Sequence, residues 1–481
     1  MTVVEQFDLS RPRRIHLVGV GGAGMSAIAR SLIQLGHFVS GSDRQEGRAL
    51  EGLRAMGATI QVGHDSRSIA DAEAVVISSA IRPSNPEVVA ALRSGIPVLH
   101  RSEMLAVLMT GHRSILIAGT HGKTTTTSMT VVALQAAGAD PSFAIGGTLN
   151  EVGANAHAGT GALFVAEADE SDRSFLVYRP DVAVVTNVEL DHPDAFADLE
   201  ETEAAFRAFL ERRSAGAPAL LCADDRGAQR LAGFGGEVVT YGQDPRATFR
   251  LVAVPARTAR EGDAGADGST ALPGPAQRAR LRHRGSDLVA FSLAVPGRHN
   301  LLNAAAALTV CHLVGVDLEA AAAGLATFTG VQRRFQRLGV AADVEVVDDY
   351  AHHPTELRAT LAAARSISLG RLVLVVQPHR FSRTAVLGAE LGRAAAGADV
   401  VVITDVYGAD EQPVPGVSGE LVAAAAREAG AKVVWEPHLG DVPATLATLV
   451  QPGDLVLVTG AGDVSQVGPA LLTLLRGGDA R

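Results

Sequence analysis

The chain has 481 residues, of which 47% are hydrophobic and 20% are charged. This length exceeds what one hydrophobic core usually accommodates and predicts roughly three domains. A net charge of -10 without a long basic block argues against nucleic-acid binding. The sequence shows neither an apolar N-terminal signal region nor an apolar run of about 18 residues, and its two cysteines lie singly in apolar runs. We therefore expect a cytosolic protein without a membrane partner.

The first predicted unit is a strand, a glycine-rich turn and a helix. Residues 15–20 form an apolar run that continues into Gly-Val-Gly-Gly-Ala-Gly-Met, and the helical pattern behind it ends at Gly36. A second strand, 38–40, ends near Asp43. Such a GxGxxG turn lets backbone N–H groups bind the phosphates of a dinucleotide or of another nucleotide diphosphate. A nicotinamide-dependent oxidoreductase is therefore one interpretation of this unit.

The second unit opens with a predicted phosphate-binding loop. The apolar run 115–118 leads into Gly-Thr-His-Gly-Lys-Thr-Thr, a shortened form of the common P-loop spacing. Gly119 and Gly122 allow backbone N–H groups to point at an anion, and the following helix adds its positive end. Lys123, one of only two lysines in the chain, can reach the β- and γ-phosphates of a nucleotide, and the Thr124 hydroxyl can ligate Mg²⁺.

Acidic residues follow two further apolar strands of this unit. The run 162–166 ends at Glu167, and the run 181–185 leads to His192. Because parallel strands present their carboxyl ends at one edge of a sheet, both segments should face the crevice of the phosphate-binding loop. Glu167 and His192 are the predicted Mg²⁺ ligands of these segments. We expect the acids within 168–172 to orient other groups or to be solvated.

A change in composition and a capped helix follow. Residues 254–286 are weakly hydrophobic and of low complexity, which predicts a flexible surface insertion. The alanine-rich helical pattern 301–313 comes after Val-Pro-Gly-Arg-His-Asn. Asn300 is therefore predicted to be the helix N-cap, with contact to a nucleotide base as the alternative.

A third unit begins near Gly330, where strand and helix patterns alternate. The alternation predicts a mostly parallel sheet with helices on both faces. The predicted strands are 344–347, 372–376, 400–403, 433–435 and 455–458.

Polar residues again follow the strand ends of this unit. Arg380 and Arg383 come after the second strand, and arginines at a strand end suit a carboxylate or a phosphate. His352 and His353 come after the first strand and precede a proline. Because proline favours the first turn of a helix, we expect one of these histidines to cap or pack, and the other, His352, is the candidate site residue.

Seven motifs together resemble the Mur ligase family. They are GVGGAGMS, AGTHGKTT, EADESD, DHPD, GRHN, DDYAHHPTE and QPHRFSRT, in this order from end to end. The resemblance covers essentially the whole chain except 254–286 and implies three α/β domains. These are a UDP-substrate-binding, Rossmann-like domain at 1–111, a central P-loop-type ATP-binding domain at 112–330 and a Rossmann-like, amino-acid-binding domain with a parallel sheet at 331–481.

The resemblance also implies an activity, a step of cytoplasmic peptidoglycan precursor synthesis. ATP and Mg²⁺ would drive the joining of L-alanine to the lactyl carboxylate of UDP-N-acetylmuramate through an acyl phosphate, by a monomer or homodimer. One alternative is a family member that attaches a whole tripeptide to the same sugar. An oxidoreductase is the alternative from another class, but it would leave the lysine loop without a role.

Site roles follow from the same resemblance. For the UDP substrate it implies Gly21, Gly22, Gly24, Asp43, His64 and Ser79. For ATP it implies Gly119, Thr120, His121, Gly122, Lys123, Thr124, Thr125, Asn300 and Asp348. Mg²⁺ ligation is implied for Thr124, Glu167 and His192, and amino-acid binding for His352, Arg380 and Arg383. Lys123, Arg334 and His352 are the implied catalytic residues.

Overall fold

The computed structural model describes residues 7–150, 153–193, 195–234, 236–254 and 277–478. Three α/β units, each with a largely parallel sheet, follow one another along the chain, which confirms the predicted fold class. No helix within the described ranges combines the length and hydropathy needed to cross a bilayer.

The first sheet has five parallel strands in the order β3-β2-β1-β4-β5. Its strands are β1 (Arg14–Val18), β2 (Phe38–Asp43), β3 (Thr59–Val62), β4 (Ala74–Ile77) and β5 (Val98–His100). Its helices are α1 (Ala23–Gln34), α2 (Arg48–Ala55), α3 (Pro86–Arg93) and α4 (Arg101–Met109). Strand β1 is buried at every position after Arg14, as expected for a central strand covered on both faces.

The second sheet has ten strands in the order β15-β14-β13-β12-β11-β10-β6-β9-β7-β8. The strands are β6 (Arg113–Ala118), β7 (Ser142–Leu149), β8 (Ala154–His157), β9 (Leu163–Glu167), β10 (Val182–Val185), β11 (Ala219–Cys222), β12 (Val238–Gly242), β13 (Phe249–Val254), β14 (Gln277–His283) and β15 (Ser286–Leu293). The helices are α5 (Lys123–Ala136), α6 (Leu199–Glu211), α7 (Arg226–Arg230), α8 (Arg298–Val314) and α9 (Leu318–Ala326).

Strand pairing explains why the predicted site residues lie at one edge of this sheet. Strand β6 lies between β9 and β10, all three parallel, with Ile117 opposite Glu167 and Ala118 opposite Val185. The segments that follow the three strands therefore emerge side by side, as predicted from the sequence.

The segment 254–286 differs in part from its prediction. Strands β14 and β15 form an antiparallel extension of the second sheet, so the prediction of a flexible insertion is wrong for 277–283. Ala279 and Leu281 are buried, whereas Arg278 and Arg280 point outward. This period-two alternation is the pattern of a strand with one covered face. Residues 255–276 lie outside the described part of the chain.

The third sheet has six strands in the order β16-β17-β21-β18-β19-β20, and only β16 runs antiparallel to its neighbour. The strands are β16 (Gln336–Ala341), β17 (Val344–Asp349), β18 (Leu372–Val376), β19 (Val400–Ile403), β20 (Val433–Trp435) and β21 (Leu455–Thr459). The helices are α10 (Pro354–Ile367), α11 (Phe381–Ala395), α12 (Gly419–Glu428), α13 (Val442–Leu449) and α14 (Val467–Gly478).

The apolar cores divide the molecule unequally. One continuous cluster of buried side chains spans the first and second sheets, from Ile15 to Val331. The third sheet instead has two clusters of its own, one on each face. Several contacts between the third sheet and the rest of the chain are ion pairs, such as Arg44 with Asp410 and Arg383 with Asp191. This division is what a third domain that moves as a body on the other two requires.

Candidate active site

A cavity of about 870 Å³ lies where the three sheets meet. Gly21, Gly24, Arg30 and Arg101 line it from the first unit, and residues 120–124, Glu167, Asp169, Asp191 and His192 from the second. The third unit contributes Arg333, Arg334, Tyr350, His352, His379, Arg380 and Arg383. The wall therefore carries acids, arginines and histidines around one partly open cavity.

The phosphate-binding loop joins β6 to α5. Gly119 and Gly122 have φ values of 135° and 80°, in the region that favours glycine. A Cβ on Gly119 would lie only 2.0 Å from the Thr186 hydroxyl, so a side chain there cannot fit beside β10. Lys123 is the first residue of α5, and Gly122, Lys123 and Thr124 at this helix N-terminus line the cavity. This is the arrangement that binds phosphate at a helix N-terminus.

Lys123 is engaged by an acid that the sequence did not single out. Its Nζ donates to Glu170 Oε1 and Oε2 at 3.0 and 2.8 Å and to the Gly119 carbonyl at 2.7 Å. Burial lowers the pKa of Lys123, but the charges of Glu170 and Asp169 outweigh this effect. The pKa of Lys123 is therefore raised overall. Burial, which outweighs the attraction of Lys123, raises the pKa of Glu170 to about 7. Of the two roles expected for Glu170, orienting another group is the one observed, because it pairs with Lys123 and is only 1% exposed.

Two of the three predicted Mg²⁺ ligands, Thr124 and Glu167, have the oxygen donors that this ion prefers. Glu167 shares a hydrogen bond with the Thr124 side chain, and burial raises the pKa of its carboxyl group. Among the described residues, Glu167 Oε1 is buried without a hydrogen-bond partner. A buried carboxylate oxygen without a partner beside a threonine hydroxyl fits a hard cation. His192 also lines the cavity.

A buried ion pair joins the second and third units. Arg383 Nε donates to Asp191 Oδ1 at 2.8 Å, with both side chains about 5% exposed or less. The remaining guanidinium nitrogens lie 3.1 Å from His379 Nδ1 and 3.4 Å from His192 Nδ1. Burial raises the pKa of Asp191, but the Arg383 and His192 charges outweigh this effect. They hold the pKa of Asp191 well below its ordinary value. His192, a candidate metal ligand, and Arg383, a candidate amino-acid ligand, are therefore neighbours.

Glu356 organises the histidines at the start of α10. His353 is the N-cap and Glu356 completes a capping box, which confirms that one of the two histidines caps this helix. Glu356 also lies 3.8 Å from Arg334 and 3.4 Å from His352 Nδ1. Burial lowers the pKa of His352 to about 4, so its ring is neutral at pH 7. Arg334 stacks over Tyr350, 4.9 Å from the ring centroid.

The structure brings most of the predicted site residues to this cavity. The following predicted residues line it: Gly21, Gly24, Thr120, His121, Gly122, Lys123, Thr124, Glu167, His192, Arg334, His352, Arg380 and Arg383. The following do not: Gly22, Asp43, His64, Ser79, Gly119, Thr125, Asn300 and Asp348.

Three of the predicted UDP-substrate residues make supporting contacts instead. Asp43 Oδ2 accepts from the Gly21 N–H at 2.8 Å and so fixes the glycine-rich turn. His64 Nδ1 lies 3.0 Å from Glu87, and Ser79 donates to Asp172 across the boundary between the first two units.

Two predicted ATP residues, Asn300 and Asp348, make contacts within the protein. Asn300 is not the N-cap, because α8 begins at Arg298 with Gly297 as its cap, and Asn300 Nδ2 donates to the Pro296 carbonyl at 2.7 Å. Asp348 pairs with Arg333 Nε at 3.2 Å, and burial raises its pKa to about 6.

Sequence reasoning missed four polar residues of the site, Glu170, Asp191, Asn303 and Glu356. Asn303 Oδ1 accepts from Thr126 at 3.1 Å and packs against Gly122, so α8 supports the phosphate-binding loop. Glu356 could have been found from its spacing, since a glutamate three residues after a cap is the capping-box pattern. Burial and pairing of the other three follow only from the packing of the sheets.

Family models match all three units of the chain. The Mur ligase family catalytic domain matches residues 14–113, the Mur ligase middle domain 117–311 and the Mur ligase glutamate ligase domain 333–462. A UDP-N-acetylmuramate--L-alanine ligase of Streptomyces avermitilis is 47% identical over 468 residues, which cover 96% of this chain and 97% of the relative.

Solved structures give the same relationship in three dimensions. The UDP-N-acetylmuramate-alanine ligase MurC of Thermotoga maritima superposes with a TM-score of 0.79 at 27% identity, covering 98% of this chain and 100% of the other. A murein peptide ligase of Psychrobacter arcticus superposes with a TM-score of 0.70 at 25% identity, covering 96% and 99% of the two chains.

Proposed function

Because the chain belongs to the Mur ligase family, we propose that it joins L-alanine to the lactyl carboxylate of UDP-N-acetylmuramate with hydrolysis of ATP. This is a step in the cytoplasmic synthesis of peptidoglycan precursors. The observation that carries the proposal is the shared cavity, in which Lys123 at a helix N-terminus faces arginines of the third sheet. A phosphate-binding lysine opposite carboxylate-binding arginines is what a ligase of acids and amino acids needs.

The first chemical step activates the muramate carboxylate. A carboxylate oxygen attacks the γ-phosphorus of ATP, the bond from that phosphorus to the bridging oxygen of ADP breaks, and ADP leaves with an acyl phosphate behind. Lys123 Nζ, released from Glu170, neutralises charge on the transferred group, and the N–H groups at the start of α5 hold the phosphates. The glycine turn with Gly21 and Gly24 binds the UDP moiety.

Thr124, Glu167 and His192 are the residues that would hold Mg²⁺. When bound, the ion neutralises phosphate charge and orients the reacting oxygens. The oxygen atoms of Thr124 and Glu167 suit it, and His192 lies at the cavity wall beside Arg383.

The second step is attack of the alanine amine on the acyl carbon, with phosphate as the leaving group. Arg380 and Arg383 bind the alanine carboxylate, since a guanidinium fork matches a planar anion. Neutral His352 accepts a hydrogen bond from the incoming amine, and Arg334, which lies over the Tyr350 ring, stabilises the tetrahedral oxyanion. Closure of the third unit excludes water, which would otherwise hydrolyse the acyl phosphate.

Phosphate release tests this function. We expect release from ATP and Mg²⁺ to require both UDP-N-acetylmuramate and L-alanine, and Lys123→Ala to lower its rate by at least about a hundredfold, the usual cost of removing one charge-stabilising donor. Lys432→Ala is the matched control, because it removes the other lysine, which is exposed, belongs to the third unit and does not line the cavity.

Other outcomes would redirect the proposal. Release with the tripeptide but not with L-alanine would assign the protein to tripeptide ligation. No release with either amine, or equal rates for the two lysine variants, would contradict the ligase mechanism. Oxidation of a nicotinamide cofactor in place of phosphate release would support the oxidoreductase alternative.

A further inference from the structure

A second cluster of potential metal ligands lies beside the cavity, apart from Thr124, Glu167 and His192. His121, Glu189 and His353 each offer one ligand atom, and these atoms lie within 4.8 Å of one another. His121 Nε2 is 3.3 Å from Glu189 Oε2, and His353 Nδ1 is 3.7 Å from the same oxygen. From these contacts we propose that the three residues bind a borderline transition-metal ion, of which Zn²⁺ is the representative, between the second and third units.

The donor set favours such an ion over Mg²⁺. Two imidazoles and one carboxylate are a ligand set of three-coordinate protein zinc sites that keep a fourth position for water, whereas Mg²⁺ takes mainly oxygen ligands. Ligand atoms about 2 Å from a tetrahedral zinc lie a little over 3 Å apart, close to the separations from Glu189 to the two rings.

An outer carboxylate already orients one of the rings. His121 Nδ1 lies 3.3 Å from Glu356 Oε1, while its Nε2 faces Glu189. Metal-binding histidines characteristically donate their second ring N–H to a carboxylate, which fixes the ring and strengthens the ligand. Within the described residues, Glu356 therefore supports His121 from behind, while His121, Glu189 and His353 face the proposed ion.

The acids around His121 supply negative charge for a cation. The Glu189 and Glu356 carboxylates each lie 3.3 Å from one ring nitrogen of His121, and together their charge equals that of one divalent ion. Binding exchanges the His121 Nε2 proton for the metal and replaces the bond from Thr355 N–H to His353 Nδ1.

The metal would link two bodies that have separate cores. His121 lies in the phosphate-binding loop and Glu189 follows β10, both in the second unit, whereas His353 is the N-cap of α10 in the third. An ion held by all three would fasten the third unit in the closed position, so micromolar Zn²⁺ would slow any turnover that requires opening.

Titration of the full chain with Zn²⁺ and Co²⁺ in excess Mg²⁺ tests the site, because Mg²⁺ then occupies the oxygen ligands. We expect one ion per chain by calorimetry and visible ligand-field absorption from Co²⁺. Glu189→Gln and His353→Asn should each weaken binding at least about tenfold, the lower end of what even an outer-shell change costs. Asparagine keeps a good N-cap at position 353.

The adjacent histidine supplies the matched control. His352→Asn removes an imidazole from the same segment and should leave Co²⁺ absorption and Zn²⁺ affinity unchanged. Loss of binding in His352→Asn with retention in His353→Asn would place the ion in the cavity with His379 and overturn the proposal. Absence of one-to-one binding in the wild type would also overturn it. Thermal melts of each variant confirm folding, and none of these readouts depends on which amine the enzyme joins.

Discussion

Removal of the Asp191 charge should prevent closure of the third unit without unfolding it. In Asp191→Asn the Arg383 guanidinium would lose a carboxylate at 2.8 Å in a setting where both side chains are about 5% exposed or less. An uncompensated charge in a buried pair costs about 3–5 kcal/mol, whereas an exposed pair contributes about 0–1 kcal/mol. Because opening rehydrates Arg383, the cost falls on the closed state and reduces the closing equilibrium by roughly two to almost four powers of ten.

Energy transfer between dyes on the second and third units measures that equilibrium. Cysteines introduced at Arg226 and Leu369 would be exposed, while the native Cys222 and Cys311 are buried and resist labelling. We expect the labelled wild type to populate the closed state with ATP and the UDP substrate, and Asp191→Asn to stay open with an unchanged melting temperature.

A double-mutant cycle separates the pair from its surroundings. In Asp191→Asn with Arg383→Met the charges are gone together, so closure should recover largely while alanine binding does not. Closure of the single Asp191→Asn variant at the wild-type level, or a cost below about 1 kcal/mol as for an exposed pair, would refute the assignment of this contact as a buried determinant of closure.

Three further predictions concern the phosphate-binding loop. Glu170→Gln should tighten ATP binding by about tenfold in calorimetry, since a charged hydrogen bond that competes for Lys123, worth about 1.5 kcal/mol, is removed; weaker binding would contradict this. His121 has a folded pKa of about 9 against an ordinary 6.5, so its stabilising contacts are complete below pH 6.5 and are lost as the pH rises through 9. Melting temperatures should therefore fall less over this interval in His121→Asn, and parallel curves would exclude the effect. Gly119→Ala should abolish ATP binding because its Cβ would lie 2.0 Å from another side chain, whereas Gly111→Ala, with φ of 83° and open space around it, should lose only about 1 kcal/mol of stability.

Local patterns predicted the strands and the loop well because each pattern is decided by near neighbours. The apolar run before Gly119 became β6, and the runs before Glu167 and His192 became β9 and β10 in the expected parallel order. The rule that strand ends share one edge then placed Lys123 and Glu167 in the same cavity.

Predictions that depended on distant packing were less successful. Asn300 was predicted as a cap from sequence preference, but the helix starts earlier because Gly297, with φ of 100°, provides the turn. Glu170 looked like one acid among several, and only the packing of its loop over Lys123 buries it. Strand β14 was not recognised because charged residues alternate along 277–283 and only two of its residues, Ala279 and Leu281, are buried.

The separate cores of the third unit have a consequence for inhibitor design. A compound that contacts only the phosphate-binding loop or only the arginines of the third unit leaves that unit free to move and competes with one substrate alone. A compound that joins both walls would bind its second half at the high effective concentration set by the first and would remain trapped while the unit is closed. The best linker therefore has a length that matches the distance between the two walls in the closed state, because a longer or shorter linker loses this advantage.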